Sequence, residues 1–315
     1  MQRDTLDALH QLGGDVTGDP TKHHGAGGER LSTPTVGSHP VHDDTTVPVD
    51  ATTSVRAVPT ATFRAKRLVA GGVASLRRVL RRPCDAGNRI VTFHAIDTEV
   101  DGDTNRIYDM TKHTFADHVR VLHELTTGSN GARITTIGIV DDRTVTVTFD
   151  DGYASTLTIA APLLAARGMP FCVFVTPMLV DSPDRRYLDR VQLLELSRIP
   201  GVTIGAHGFR HVPLSGLSRN ERRRNLTDAR SWLEDAIQRE VRSMSYPFGD
   251  TPEGIADDAR EAGYELAACS VWGFNDGSTD AMMLRRIDLW AGDSGRTVVS
   301  KVEGHWNPMM GRATA

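Results

Sequence analysis

Short apolar runs alternate with longer amphipathic segments from about Asn88 onward, and this alternation restricts the fold more than any other feature of the chain. The short runs are rich in β-branched or aromatic residues and are bounded by turn residues, as expected for strands. They read RIVTFH, TVTVTF, PFCVFV, VTIGA, SMSYPF and YELAAC. Helical patterns lie between them, near 115–127, 156–168, 188–198, 218–240 and 253–262. Repeated β-then-α units predict an α/β fold with a parallel sheet, either doubly wound or closed into a barrel.

The two segments that precede this alternation differ in composition. Residues 1–62 are rich in Thr, Gly, His, Pro and Asp and have few large apolar side chains, so we expect them to be disordered. Residues 63–87 form a predicted basic helical linker, because the stretch 64–82 carries seven basic and no acidic residues, with apolar residues at roughly helical spacing. This stretch is interpreted either as a solvated helix or as a peripheral contact with an anionic membrane.

Charge and cysteine usage exclude some classes of partner. The formal net charge of -4 at pH 7 gives no general attraction to nucleic acid, so no nucleic-acid partner is expected. Cys84, Cys172 and Cys269 form no CxxC pair and do not require an oxidising compartment. The first residues contain no apolar stretch resembling a signal peptide, and no run of 18 apolar residues follows. We therefore expect a cytoplasmic protein.

Polar residues that could act in catalysis or metal binding stand where the predicted strands end. His94 ends RIVTFH, Asp150 and Asp151 follow TVTVTF, His207 follows VTIGA, and the turn 246–249 (YPFG) follows the next run. In parallel α/β folds the carboxyl ends of the strands share one face, and active sites assemble there. The sequence therefore predicts a single site to which these four strand ends contribute.

Two of these clusters suit a metal ion. Adjacent carboxylates such as Asp150 and Asp151 repel each other unless a divalent cation or an arginine compensates their charge, although a solvated acidic turn is the alternative. His207 and His211 are four residues apart, which would place both imidazoles on the same side of a helical turn. Gly208 stands where a zincin carries its glutamate base, so another residue must act as base, and one of the two aspartates can do so.

The motifs TFDDGYAS, IGAHGFRH and SYPFG, in this order and at these spacings, resemble the polysaccharide deacetylase family. This family is also described as the NodB-homology domain or carbohydrate esterase family 4, and the YPFG form is similar to one bacterial subgroup. The resemblance covers residues 88–308. It implies an irregular (β/α)7 barrel and hydrolysis of N-acetyl groups on an amino-sugar polysaccharide or its precursor, which would be the partner of the chain.

The resemblance also implies roles for individual residues. Asp150 would be the general base, and Asp151, His207 and His211 would bind a divalent metal. Zinc is the expected ion, and cobalt, nickel or iron are alternatives.

The third motif would supply the substrate and oxyanion contacts. These would come from Tyr246, Pro247 and Phe248, the last through its backbone N–H.

Two departures from the family pattern raise further candidates. Ser245 stands where the family usually has an arginine that orients the base, so Arg286 is the candidate replacement guanidinium and Arg285 the alternative. The late histidine that usually serves as general acid has no counterpart, and His94 on the first strand is the candidate for this role.

Three other functions stay open on these residues. The same site would serve an O-acetyl esterase or a deformylase that acts on a sugar, because the metal chemistry is common to all of them. A carbohydrate-binding protein without catalysis is the third, since two family residues are replaced.

Overall fold

The computed structural model describes residues 60–79 and 87–307, except 104, 106, 129–132 and 139–140, and not the side chains of 60–64 and 78. The chain divides into the units Met1–Thr53 and Ser54–Ala315, and the described residues belong to the second. The disorder predicted for residues 1–62 lies almost wholly outside the described residues. The boundaries predicted at 62, 87 and 308 stay predictions.

Ten strands carry the fold of the described residues. They are β1 (Arg89–Phe93), β2 (Ala95–Ile96), β3 (Asp109–Met110), β4 (Arg133–Thr135), β5 (Thr144–Phe149), β6 (Phe171–Val175), β7 (Val202–Ala206), β8 (Ser243–Ser245), β9 (Leu266–Trp272) and β10 (Leu284–Asp288). All six strands predicted from the sequence are present. The strand β10 and the short strands β2, β3 and β4 were not predicted.

Seven strands close into a parallel barrel in the order β1, β5, β6, β7, β8, β9, β10, and β10 pairs back to β1. This ring confirms the predicted irregular (β/α)7 barrel. Strand β4 lies outside the ring and pairs with the first half of β5, whereas β6 pairs with the second half of the same edge. The irregularity therefore lies where β5 changes partner along its length.

Eight α-helices surround the barrel. They are α1 (Thr60–Val79), α2 (Lys112–Thr127), α3 (Ala161–Ala165), α4 (Pro177–Val180), α5 (Arg190–Arg198), α6 (Arg219–Ile237), α7 (Ile255–Glu261) and α8 (Gly295–Val302), among the described residues. A π-helical turn, Thr156–Ala160, leads into α3. Helix α6 begins with a capping box, in which the Ser218 side chain accepts from the Glu221 N–H and the Glu221 carboxylate accepts from the Ser218 N–H.

The barrel strands have two differently filled faces. On β5, Val145, Val147 and Phe149 pack in the apolar core between the barrel and the helices. The alternate threonines of β5 point into the barrel, where Thr148 is 3.1 Å from Thr92 on β1. A smaller apolar cluster from other strands shares this interior and contains Ile90, Cys172, Phe174, Ala268 and Leu284. A residue that follows a strand and continues this two-residue alternation therefore points inward at the mouth of the barrel.

Helix α1 packs on this domain through one face. Ala70 and Ala74 are buried, and the Arg67 guanidinium donates to Gly292 O at 2.5 Å and lies 3.3 Å from Asp293 Oδ1. The opposite face exposes apolar side chains, with Leu68 77% and Val79 79% exposed. Helix α1 covers part of the basic helical linker predicted at 63–87, and both that linker and membrane contact by residues 64–82 stay predictions. Within the described part of the chain, none of the helices combines the length and the apolar character needed to cross a bilayer.

Candidate active site

Asp150 and Arg286 form a fully buried ion pair at the carboxyl end of the barrel. Asp150 follows β5 in phase with the inward threonines, and Arg286 points inward from β10. The two guanidinium nitrogens Nη1 and Nη2 donate to Oδ1 and Oδ2 of Asp150 at 2.7 and 2.8 Å. Burial raises the pKa of the Asp150 carboxyl, but the charge and hydrogen bonds of Arg286 together with the nearby imidazoles of His207 and His94 outweigh burial, and the pKa lies below its ordinary value. The carboxylate is therefore ionised and held in one orientation.

Asp151, His207 and His211 bring three ligand atoms together, all within 4.8 Å of one another. Asp151 Oδ1 lies 3.3 Å from His207 Nε2 and 3.0 Å from His211 Nε2. Burial raises the pKa of the Asp151 carboxyl, yet the adjacent imidazoles of His211 and His207 hold it well below its ordinary value. The group is thus a carboxylate that faces two imidazoles.

The donor set fits a divalent metal ion. His207 Nδ1 lies 3.0 Å from the backbone oxygen of Ser245, which can only accept, so the proton of the neutral imidazole is on Nδ1. The lone pair of Nε2 then faces the carboxylate oxygen of Asp151, and two such acceptors repel unless a cation lies between them. Ligand atoms about 2.0 Å from a tetrahedral ion are about 3.3 Å apart. Asp151 Oδ1 lies at close to this separation from both histidine nitrogens.

The two histidines converge from a loop and not from a helical turn, so that part of the sequence prediction was wrong. Residues 207–213 follow β7 without forming a helix. Gly208 has φ +65°, and an added Cβ would lie 2.9 Å from the Asn225 side-chain oxygen. His211 itself has φ +51°. Left-handed backbone at both positions is incompatible with a right-handed helix, and it turns His211 back toward Asp151.

Backbone strain is concentrated at this site. Asp151, His211 and Phe248 all have positive φ, at 71°, 51° and 58°. This conformation is uncommon for residues other than glycine, and it persists where the surroundings hold it in place, often at functional sites. The aromatic rings of His211 and Phe248 lie with centroids 4.6 Å apart, so two of the strained residues are in contact.

The third motif contributes unequally. Phe248 is 50% exposed beside His211, as a substrate contact requires. Tyr246 is fully buried in the core, where its hydroxyl donates to Met282 O at 2.9 Å, and Pro247 is buried too. The side chain of Tyr246 therefore offers no surface to a substrate, and this part of the expectation is corrected by its packing.

His94 lies at the carboxyl end of β1 and is partly exposed. Its ring is 4.3 Å from the ring of Tyr108, centroid to centroid. Asp288 ends β10 nearby, and its pKa is raised by burial and lowered by His94 and Arg286. His94 therefore presents a partly exposed imidazole at the barrel mouth, where a bound substrate can reach it.

Sequence reasoning identified Ser245 only as the replacement of the family's arginine, and it missed Asp288 and Tyr108 as members of the site. The signal for Asp288 was its spacing of two residues from Arg286, because alternate residues of a strand share a face. Arg285, one residue before Arg286, lies on the opposite face of β10, is exposed and is not the partner of Asp150. Tyr108 had no such signal, since it lies in the connection between β2 and β3.

Comparisons with known proteins find related sequences and folds. The polysaccharide deacetylase family model matches residues 138–267, which include Asp150, Asp151, both histidines and Phe248. A Bacillus subtilis (strain 168) protein, YxkH, named as a candidate polysaccharide deacetylase, is 24% identical over 219 residues. The alignment covers 68% of this chain and 75% of that protein.

Solved structures share the fold. The Streptococcus pyogenes deacetylase PplD, in complex with acetate, has a TM-score of 0.58 at 17% identity and covers 70% of this chain and 99% of its own. IcaB from Ammonifex degensii has a TM-score of 0.59 at 20% identity and covers 70% and 98%. At these identities the likeness establishes the fold of the barrel.

Proposed function

We propose, from the premise that residues 138–267 carry a polysaccharide deacetylase domain, that this chain removes N-acetyl groups from an amino-sugar polysaccharide or its precursor by metal-dependent hydrolysis. One observation carries the proposal. A carboxylate fixed by Arg286 stands directly beside a metal-suited triad, and both lie at the carboxyl ends of the barrel strands.

Asp150 acts as the general base in this proposal. Its two hydrogen bonds from Arg286 orient the carboxylate and keep it ionised, so that it can accept a proton from the attacking water. Because Asp151 is the next residue in the chain, the base stands close to the ligand triad.

Asp151, His207 and His211 hold the cation. A divalent ion bound there supplies Lewis-acid chemistry to the acyl carbonyl and to water. The His207 Nδ1–H bond to Ser245 O fixes the ring so that Nε2 is free to bind.

The remaining residues handle the products. Water adds to the acyl carbon, and the backbone N–H of Phe248 stabilises the negative oxygen that forms. The C–N bond then breaks, and His94 donates a proton to the leaving nitrogen. The products are acetate and a free amine. The Streptococcus pyogenes deacetylase was solved with acetate, the acid that such a hydrolysis releases.

The test is acetate release by the full-length protein loaded with zinc. N-acetylglucosamine oligomers and O-acetylated xylan are offered in parallel, and formate is measured beside acetate. We expect Asp150→Asn to lower acetate release from the oligomers by about 10²- to 10⁴-fold. Asp142→Asn is the matched control, since Asp142 is an exposed carboxylate just before the same strand.

Other outcomes select other functions. Release from xylan alone indicates an O-acetyl esterase, and formate in place of acetate indicates a deformylase. A protein that binds zinc and the oligomers but releases neither acid would be a carbohydrate-binding protein, and the hydrolase proposal would be wrong.

A further inference from the structure

Ser245 contacts both halves of the proposed machinery. It ends β8 and is fully buried. Its Oγ lies 2.5 Å from His207 Nδ1 and 3.3 Å from Asp150 Oδ1, and its backbone oxygen lies 3.0 Å from the same Nδ1. One small side chain therefore bridges a residue of the ligand triad and the carboxylate paired with Arg286.

The hydrogen-bonding capacities decide the direction of this bridge. Both oxygens of Asp150 accept from the Arg286 guanidinium, so the single proton of the Ser245 hydroxyl is donated to Asp150. The hydroxyl oxygen is then free to accept from His207 Nδ1–H. Each group thus fixes the next, from the imidazole through the hydroxyl to the carboxylate.

We propose that Ser245 is a positioning residue that ties the ligand His207 to the base Asp150, keeping the His207 proton on Nδ1 and the carboxylate directed at the metal site. The inference rests on the proposed function, because it assigns Ser245 a task in that site. Partners of this kind orient metal ligands, and their loss typically costs about 10- to 100-fold in metal affinity or activity.

The first test needs no substitution. Long-range ¹H–¹⁵N spectra of the zinc-free protein report which nitrogen of neutral His207 carries the proton. We expect the Nδ1–H tautomer. A proton on Nε2 would overturn the inference, since Ser245 could not then accept from the ring.

The second test compares Ser245→Ala with Ser243→Ala, the inward serine two residues earlier on β8. The Ser243 hydroxyl is 3.9 Å from Cys172 Sγ and touches neither His207 nor Asp150 in the hydrogen bonds of the described residues. Zinc affinity is measured by competition with a chelator, and kcat and KM with the substrate found above. We expect Ser245→Ala to weaken zinc binding by about tenfold, the lower end of the range, because the backbone oxygen of residue 245 still accepts from Nδ1.

We also expect Ser245→Ala to lower kcat by about tenfold while KM stays within about twofold, since the hydroxyl orients Asp150 and touches no substrate. Ser243→Ala should leave all three quantities unchanged. Equal zinc affinity and kcat in the two variants would overturn this inference alone. A wild-type protein that binds no metal would instead overturn the proposed function and this inference together.

Discussion

Two ion pairs are buried in the described part of this molecule in similar ways, yet they serve different ends. Asp150 and Arg286 lie inside the barrel mouth, with side chains 3% and 4% exposed. Asp293, just before α8, and Lys301, within α8, lie outside the barrel with both side chains 0% exposed. By burial alone the second pair would be the more unusual, because lysine is rarely buried completely.

The surroundings separate the two pairs. Lys301 Nζ donates to Asp293 Oδ2 at 2.6 Å and to Asp288 O at 2.8 Å, and it lies 3.6 Å from the ring centroid of Trp290. Asp293 also accepts from Trp290 N–H and from Arg67. Every charge there is matched by protein groups that leave no room for a ligand.

The Asp150 pair has an open side instead. His94 and His211 beside it are partly exposed, and Asp151, the next residue, presents a second carboxylate that Arg286 does not pair with. Buried charge therefore does not identify a functional site by itself. Here the site is identified by the position of Asp150 at the end of a strand and by the Asp151 carboxylate, which needs a further cation.

Breaking the Asp293–Lys301 pair should give the largest effect, and that effect should be on stability. Lys301→Met leaves Asp293 buried with one fewer cation, and we expect the free energy of unfolding to fall by about 3–5 kcal/mol. Chemical denaturation measures this loss, and kcat per folded molecule should stay within about twofold. The double variant Lys301→Met/Asp293→Asn should recover part of the stability, because it removes a buried charge that has lost the closer of its two cations. A large loss of kcat in a stable Lys301→Met protein would end the distinction between the pairs.

Breaking the Asp150–Arg286 pair should instead lower activity. Arg286→Gln removes the two hydrogen bonds that orient Asp150, and we expect kcat/KM for deacetylation to fall by about 100-fold, or about 2.7 kcal/mol. Arg285→Gln is the matched control, because it makes the same change one residue away on the exposed side of β10, and its kcat/KM should stay within about twofold. Equal effects of the two substitutions would contradict the assignment of Arg286.

The choice between these two arginines shows what the sequence can predict. Period-two alternation along Leu284, Arg286 and Asp288 places all three inward, and the same alternation carries the threonines of β5 on to Asp150. The barrel and the convergence of strand ends follow from such local patterns. β10 was missed because three of its five residues are charged, so it reads as a polar segment.

Other features depend on contacts between residues far apart in the chain. Ser245 contacts residues 95 and 38 positions away, and the motif that contains it does not indicate that one hydroxyl reaches both of them. The expected helical turn between His207 and His211 failed for a related reason. Spacing alone gives no sign of the left-handed backbone at Gly208 and His211, which the surrounding packing imposes.

Helix α1 lies at the surface, and substitutions on its outer face should have the smallest effect. Arg67 binds the helix to Asp293, which also pairs with Lys301. Leu68 and Leu76 on the outer face of the helix are 77% and 59% exposed. If the basic stretch meets an anionic membrane, burying these side chains in the interface contributes about 1 kcal/mol, and Leu68→Gln/Leu76→Gln should weaken vesicle binding about fivefold.

Co-sedimentation with phosphatidylserine-containing vesicles measures this binding, and vesicles of neutral phosphatidylcholine show how much of it depends on charge. Val191→Gln on α5 is the matched control, since Val191 is 75% exposed away from the basic stretch and its loss should leave binding unchanged. The melting temperature should not move in either variant, because Arg67 and the buried alanines of α1 are untouched. Unchanged vesicle binding in the double variant would mean that the membrane prediction for residues 64–82 is wrong. The contact between Arg67 and Asp293 would then serve only to hold α1 on the barrel.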